Sequence, residues 1–350
     1  MEKYQWQERR ITLGRKDTPL ERLENLEQHV GYQGLWIKRD DLNDLALSGN
    51  KVRKLEFFAY EAVEAGSSVL LTFGGPQTNH GRLTVAAARR LDMQPVLILD
   101  GQEPDRFSGN LVLDLLMGAD IRFRGDVSRE EMAARVIEEY ESKGHIVYVI
   151  PLGGSNATGV LGYVQMMLEL KEQMKEKDIT PAHIYLAVGS AGMLAGTVLG
   201  AKLIGLETKI HGIPVLEADA ADLKALTVRL AAEARERFDI ASQPVTEADF
   251  SIDLGPSDHR YFGAGYNLPD PYTIDTIERF ARYEGIFLDP CYSGKAGRAY
   301  LEQAASGSIG GEPILLIHSG GVPALWTDEH LSAMQGRLKD LSAANRDSES

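Results

Sequence analysis

Residues 48–56, Ser-Gly-Asn-Lys-Val-Arg-Lys-Leu-Glu, place Lys51 where a Gly49-Asn50 turn gives way to a helical pattern. The dipole at a helix N-terminus disfavours a cation. The same field lowers a lysine pKa and helps supply a neutral amine, the form that Schiff-base chemistry needs. A lysine taken singly is most often a solvated one, so this segment gains weight only beside others. In Thr72-Phe73-Gly74-Gly75-Pro76-Gln77-Thr78-Asn79-His80-Gly81-Arg82, two glycines let backbone come close to a ligand. Thr78 and Asn79 set a hydroxyl and an amide where a helix begins, and both types are also ordinary N-caps. Capping does not account for Gln77 and His80; His80 fits equally well as a hydrogen-bonded partner inside a sheet crevice.

A third segment, Val188-Gly189-Ser190-Ala191-Gly192-Met193-Leu194-Ala195-Gly196, joins an apolar strand pattern to a helix. Its small residues free backbone N–H groups to wrap an anion at a helix N-terminus. A tight helix–strand packing turn is the alternative. No Gly-Lys-Ser/Thr follows, so it is not a P-loop, and no G-x-G-x-x-G marks a dinucleotide site. Tyr266 and Tyr292 each stand among loop-forming residues, where a ring either packs locally or lines a site. His318-Ser319-Gly320-Gly321 places another hydroxyl just after a strand pattern.

Alternating elements must position these groups. Strand patterns at 35–38, 69–73, 95–99, near 121, 146–150, 183–188, 210–215 and 313–317 alternate with helical spacing. The helical stretches are 51–65, 80–91, 109–117, 130–143, 161–175, 194–204 and 274–283. Such alternation predicts mostly parallel sheets covered on both faces, as two α/β units with a site in the crevice between them. The polar stretch from Ser342 to Ser350 is expected to fray.

Composition narrows the function classes. A net charge of −14, with 51 acidic against 37 basic residues, opposes nucleic-acid and anionic membrane partners. The one cysteine, Cys291, allows neither an intramolecular disulfide nor a cysteine-based zinc site. The first ten residues are too polar for a signal peptide, and no apolar run approaches a membrane span, so a cytoplasmic location is expected.

Together the segments resemble the aminocyclopropane-carboxylate deaminase and D-cysteine desulfhydrase family. That family lies within the tryptophan-synthase-β-like, fold type II class of pyridoxal phosphate enzymes. The likeness runs from about Thr18-Pro19-Leu20 to about Leu325 and takes in Pro151-Leu152-Gly153-Gly154-Ser155-Asn156, Gly159 and Gly162-Tyr163. It implies two doubly wound, mostly parallel open-sheet domains with pyridoxal 5'-phosphate between them. Residues 1–50 with 164–340 would form the large cofactor-binding domain, 51–163 the small one, and 341–350 a disordered tail. Lys51 would be the Schiff-base lysine and Lys54 a phosphate contact. Asn79 would bond the cofactor's ring hydroxyl, and Gly189, Ser190, Ala191 and Gly192 would cradle its phosphate. Tyr266 and Tyr292 would face a small amino-acid substrate near the Thr78 hydroxyl, with Lys51 or a tyrosinate at Tyr292 taking the α-proton. A homodimer is implied; a metal is not.

Departures from the family pattern are Thr78 for serine, Met193 for threonine in the phosphate loop, and Asn267 for glycine. His80, the Gly-Ser-Ala-Gly loop and Ser293 resemble the desulfhydrase branch, where deaminases carry Gln at the first position and Glu at the last. A hydroxyl at the pyridine nitrogen, from Ser293 or else Ser319, would leave that nitrogen nearer neutral. The resemblance thus implies α,β-elimination on a β-substituted alanine, with the deaminase and cysteate sulfo-lyase reactions as alternatives.

Overall fold

The computed structural model describes residues 4–307 and 309–347. Its strands are β1 Leu20–Arg22, β2 Leu35–Arg39, β3 Val69–Gly74, β4 Gln94–Leu99, β5 Asp120–Phe123, β6 Val147–Val149, β7 His183–Val188, β8 Lys209–Pro214, β9 Phe250–Ile252 and β10 Ile314–His318. They form one sheet in the order β1-β2-β10-β7-β8-β9 and another in the order β5-β4-β3-β6. Pairing is parallel throughout except between β1 and β2.

The helices are α1 Glu24–Val30, α2 Lys51–Glu64, α3 Asn79–Arg90, α4 Asn110–Leu116, α5 Arg129–Glu141 and α6 Ala157–Lys177. They continue as α7 Gly192–Ile204, α8 Ala220–Arg237, α9 Pro271–Glu284, α10 Ser293–Ala305 and α11 Asp328–Asp347. Successive strand residues point to opposite faces, and both faces are apolar. On the larger sheet Leu315 and Ile317 pack under α6, α7 and α8, while Ile314 and Leu316 pack under α1, α9 and α10. On the smaller sheet Val69, Leu71, Val96 and Ile98 meet α5, whereas Leu97 and Leu99 face Val85 of α3 and Leu111 of α4. Both sheets are therefore doubly wound, as the sequence predicts. The tail departs from expectation: α11 stays helical through Asp347, and residues 348–350 lie outside the described ones.

Two glycine contacts set the helix packing that the site depends on. A Cβ at Gly196 of α7 would come within 2.5 Å of Tyr163 Cβ, and one at Gly162 of α6 within 2.6 Å of the Arg53 carbonyl carbon. Bare backbone there lets α6 lie against α7 on one side and against the start of α2 on the other.

A buried ionic cluster then fixes α2. Arg53 donates to Asp40 Oδ1 at 2.8 Å and to Glu169 Oε2 at 2.7 Å, and the Tyr163 hydroxyl donates to Asp40 Oδ2 at 2.7 Å. The Lys38 ammonium donates to Glu169. Two cations and two carboxylates, all buried, are thus shared among β2, the turn after it, α2 and α6. Burial alone would raise the Asp40 carboxyl, yet Arg53 beside it outweighs that and holds it below the usual range.

Removing one member of such a cluster strands an opposite charge in the interior, at about 3–5 kcal/mol. Glu169→Ala is therefore expected to lower unfolding stability by about that amount. Urea unfolding followed by circular dichroism checks it; a loss under about 1 kcal/mol would contradict the role given to the cluster.

Candidate active site

Lys51 is the first residue of α2, two positions before Arg53 of the buried cluster. The preceding chain is unusual: Ala46, Leu47 and Ser48 all have positive φ, at 41°, 58° and 57°. Such conformations cost energy in residues with a side chain and persist where neighbours over-determine them. Here the buried Arg82 guanidinium donates to the carbonyls of Ala46 and Ser48 and to Asn110 Oδ1. Asn50 N donates to the Ser319 carbonyl at 3.0 Å, which ties the start of α2 to the end of β10.

A cavity of about 330 Å³ opens between the two sheets in front of Lys51. The small-sheet side supplies Gly74, Gly75, Thr78, Asn79, His80, Asp100 and Arg129, all of which line it. From the large-sheet side come Gly189, Ser190, Ala191, Tyr266, Tyr292 and Ser319. The C-terminal ends of β3, β4, β7 and β10 converge here, where ligands of open α/β sheets bind.

Lys51 faces the cavity and is otherwise enclosed by protein; burial lowers its pKa from 10.5 to about 8. Burial is the cause of that shift. Lys54, one turn on, is fully buried with its ammonium on the Gly153 carbonyl at 3.1 Å and Ser155 Oγ at 3.2 Å. Burial first and Lys51 second push its pKa well down. Among the described residues neither lysine forms a salt bridge, although surface and core pairs abound elsewhere.

Lys54 points at the start of α7. Ala191 caps that helix in a left-handed conformation, φ 57°. A Cβ at Gly192 would stand 2.5 Å from Ser155 Oγ and 2.8 Å from Lys54 Nζ. Ser190 Oγ and Ser155 Oγ are 2.7 Å apart. A helix N-terminus, two hydroxyls and an uncompensated ammonium make a cup for an anion such as phosphate. Met193, in place of a hydroxyl residue, accepts a hydrogen bond on sulfur from Asn50 Nδ2 at 3.2 Å.

Thr78 does act as the N-cap of α3, accepting from Gly81 N at 3.2 Å, and it still lines the cavity. Asn79 Oδ1 accepts from Asn110 Nδ2 at 3.0 Å, and its Nδ2 faces Gly321. His80 is buried against the cavity with neither ring nitrogen in a well-formed hydrogen bond. Burial, then Lys51 and Lys54, keep it neutral.

The two tyrosines meet, with Tyr292 donating to the Tyr266 hydroxyl at 3.0 Å. Burial raises the pKa of both above the phenol value. Burial thus works against a resident tyrosinate at Tyr292, one of the two bases expected from sequence. Asn267 takes the left-handed position, φ 56°, that glycine would fill, and its Oδ1 accepts from Cys291 Sγ and lies 3.2 Å from His330 Nε2.

The structure separates the two serines. Ser293 starts α10 with its hydroxyl donating to Asp289 Oδ1 at 2.6 Å and accepting from Asp289 N at 2.8 Å, and it does not line the cavity. Ser319 lines it, with a buried hydroxyl that lacks a protein partner. Asn50, Asp100, Arg129 and Gly153 were not foreseen in the lining. Asp100 had one readable signal, its place just after the C-terminal end of β4; Arg129 had none.

An orphaned hydroxyl, two lysines without carboxylate partners and a glycine-lined anion cup, set between two mostly parallel sheets, fit an α/β enzyme whose lysine amine meets a phosphorylated cofactor. The chain belongs to the pyridoxal-phosphate dependent enzyme family, whose model matches residues 11–320. A Thermotoga maritima protein, provisionally named 1-aminocyclopropane-1-carboxylate deaminase, is 36% identical over 91% of this chain and 97% of its own. The D-cysteine desulfhydrase of Yersinia enterocolitica is 36% identical over 91% of this chain and 95% of its own. A crystal structure of an ACC deaminase homologue superposes with a TM-score of 0.80 at 31% identity, covering 93% of this chain and 94% of that one.

A lysine with a pKa of about 8 is half neutral near that pH. The apoprotein is expected to condense with pyridoxal, which lacks the phosphate, at a rate that rises with pH and levels off above about 8–9. An ordinary lysine would still be climbing at about pH 10. Stopped-flow absorbance across that range distinguishes the two.

Proposed function

We propose that this chain is a cytoplasmic, homodimeric pyridoxal phosphate-dependent lyase. Its reaction is α,β-elimination on a β-substituted alanine; with D-cysteine the products are pyruvate, ammonia and sulfide. The observation that carries the reading is the pair of buried, carboxylate-free ammoniums, Lys51 at the cavity and Lys54 at the anion cup. An unpaired buried cation is costly unless a ligand answers it. That no described helix is long and apolar enough to cross a membrane accords with the location proposed. Residues 1–50 with 164–340 and residues 51–163 serve as the two domains.

When bound, pyridoxal phosphate condenses with an amino group and draws electrons from the adjoining Cα–H bond. Lys51 is the amine that holds it. Lys51 Nζ, when not bonded to the cofactor, would be placed to take the proton from the substrate Cα. Lys54, Ser190 and the amides of 189–192 grip the phosphate, and Asn79 bonds the ring hydroxyl. Ser319, whose hydroxyl is free in the cavity, would be the residue to meet the ring nitrogen, rather than Ser293, which Asp289 holds. The start of α3 at Thr78 and Asn79 orients the substrate carboxylate, and the Tyr266–Tyr292 pair, protonated, can deliver a proton to a departing β-group.

Among the described lining residues the one carboxylate is Asp100, which Arg124 and Arg129 engage at 2.6 and 2.5 Å. A hydroxyl rather than a carboxylate at the ring nitrogen favours prompt loss of a β-substituent. The deaminase relative and the paired tyrosines support a second reading, ring opening of aminocyclopropane carboxylate.

The purified holoprotein is expected to be yellow, and borohydride should fix the cofactor on Lys51, as peptide mass mapping would read. Lys51→Ala should lose turnover by several orders of magnitude; a colourless protein that takes up no added cofactor would overturn the reading. A panel of β-substituted D- and L-alanines, cysteate included, scored for pyruvate should show one strongly preferred substrate. Release of 2-oxobutyrate from aminocyclopropane carboxylate at a comparable rate would instead establish the second reading.

A further inference from the structure

Lys295 lies in the first turn of α10, three residues after Tyr292, and its side chain is fully buried. Its ammonium donates to three carbonyl oxygens: Val215 at 2.8 Å, Phe262 at 2.7 Å and Gly265 at 2.8 Å. An ammonium has three N–H donors, so its hydrogen-bonding capacity is met in full by backbone. No carboxylate touches it among the described residues. Cys291, Asp289 and Asp270 are its nearest acidic groups, and they act only through space.

The three carbonyls belong to two separate segments. Val215 follows β8, on the large-sheet wall of the cavity. Phe262 and Gly265 lie in the irregular loop that carries Tyr266, in which Gly263, Gly265 and Asn267 have φ of 60°, 140° and 56°. The loop thus has little regular structure of its own to hold its tyrosine in place. Lys295 grows from the helix that presents Tyr292, and the hydroxyl of that tyrosine meets the Tyr266 hydroxyl at 3.0 Å.

We propose that Lys295 is a built-in monovalent cation: its ammonium organises a cage of backbone carbonyls that locks the Tyr266 loop to the Tyr292 helix, and so sets the tyrosine pair. It is a positioning residue, since it does not line the cavity. Carbonyl rings of this kind replace the hydration shell of ions such as potassium. Ammonium and potassium are of similar size. Removing the side chain while keeping the carbonyls should therefore turn a cation-independent protein into one that needs a cation. The structural statement stands alone; its effect on turnover rests on the lyase reading above.

The test compares wild type, Lys295→Ala, Tyr266→Phe and the double variant as holoproteins in lithium buffer, with and without potassium or ammonium. Lys295→Ala is expected to keep its cofactor colour but to lose kcat by about 10–100-fold, the scale of an ångström-sized misplacement. Potassium or ammonium should raise its Tm, leave that of wild type unchanged, and restore most of the turnover. In the Tyr266→Phe background the same substitution should lower kcat no further. Wild-type turnover in Lys295→Ala, a loss that neither ion relieves, or losses that multiply in the double variant would overturn the proposal. If Lys295→Ala does not fold, Lys295→Gln, whose amide can still serve two carbonyls, takes its place. A folded Lys295→Gln with wild-type kcat, or with a loss that multiplies with that of Tyr266→Phe, likewise overturns it. Ion-dependent melting reads the cage even in a protein that turns nothing over, so failure of the lyase reading is seen separately.

Discussion

The four-charge cluster of Lys38, Asp40, Arg53 and Glu169 is the constraint from which the rest of the site follows. A helix packed by apolar contacts alone can slide or rotate with little penalty, because dispersion is non-directional. Arg53 instead reaches Asp40 with both Nε and Nη2, at 2.9 and 2.8 Å, and Glu169 with Nη1. A planar guanidinium held by two carboxylates fixes both the rotation and the axial position of α2. Lys51 lies two residues before it on the same helix, so the reach of its amine into the cavity is set by charges that never see the cavity. Gly162 makes this possible, since any side chain there would push α6 off the Arg53 backbone.

Buried charges in this protein therefore fall into two kinds, and the distinction carries functional information. In the cluster two positive groups meet two negative ones, with the Thr18 and Tyr163 hydroxyls filling the remaining acceptor sites. It is complete as it stands. Lys54, fully buried, and Lys51, half-buried at the cavity, have no carboxylate partner among the described residues, and Lys54 has only a carbonyl and a serine hydroxyl for company. Burial lowers the pKa of both, and Lys51 lowers that of Lys54 further. A bound dianion would reverse the sign of the local field and hold Lys54 charged. Such a pair suits a site that takes an anionic ligand.

How far the sequence reveals this depends on whether the relevant signal is local. β7 is legible to the residue, His183–Val188, because a fully buried central strand is a continuous apolar run. Helix α10 was missed because it is announced by Tyr-Ser-Gly-Lys, residues that read as a loop, while its real N-terminal signal is Asp289 accepting from the backbone of Cys291, Tyr292 and Ser293 at 2.9, 3.0 and 2.6 Å. That same carboxylate occupies the Ser293 hydroxyl, which motif position alone had put on the cofactor. Thr78 shows the reverse: capping and cavity lining looked like rival explanations, yet one hydroxyl does both. Arg129 enters the lining through tertiary placement of α5, which no spacing within a single segment encodes.

The chain's net charge of −14 and the character of its cavity point in opposite directions, and both are needed. A negative surface keeps polyanions away over distances of the order of the Debye length, about 8 Å at physiological ionic strength. Inside the cleft the groups presented include two lysine amines, the amides that open α3 and α7, the amide side chains of Asn50 and Asn79, and phenol hydroxyls. The one acid among the described lining residues, Asp100, is already bound to two arginines. A small molecule that carries both a phosphate and a carboxylate partner into this space meets these donors beside apolar walls such as Leu152, Val188, Leu194 and Leu216. The contrast between net charge and cavity lining is one that an average over the whole sequence conceals.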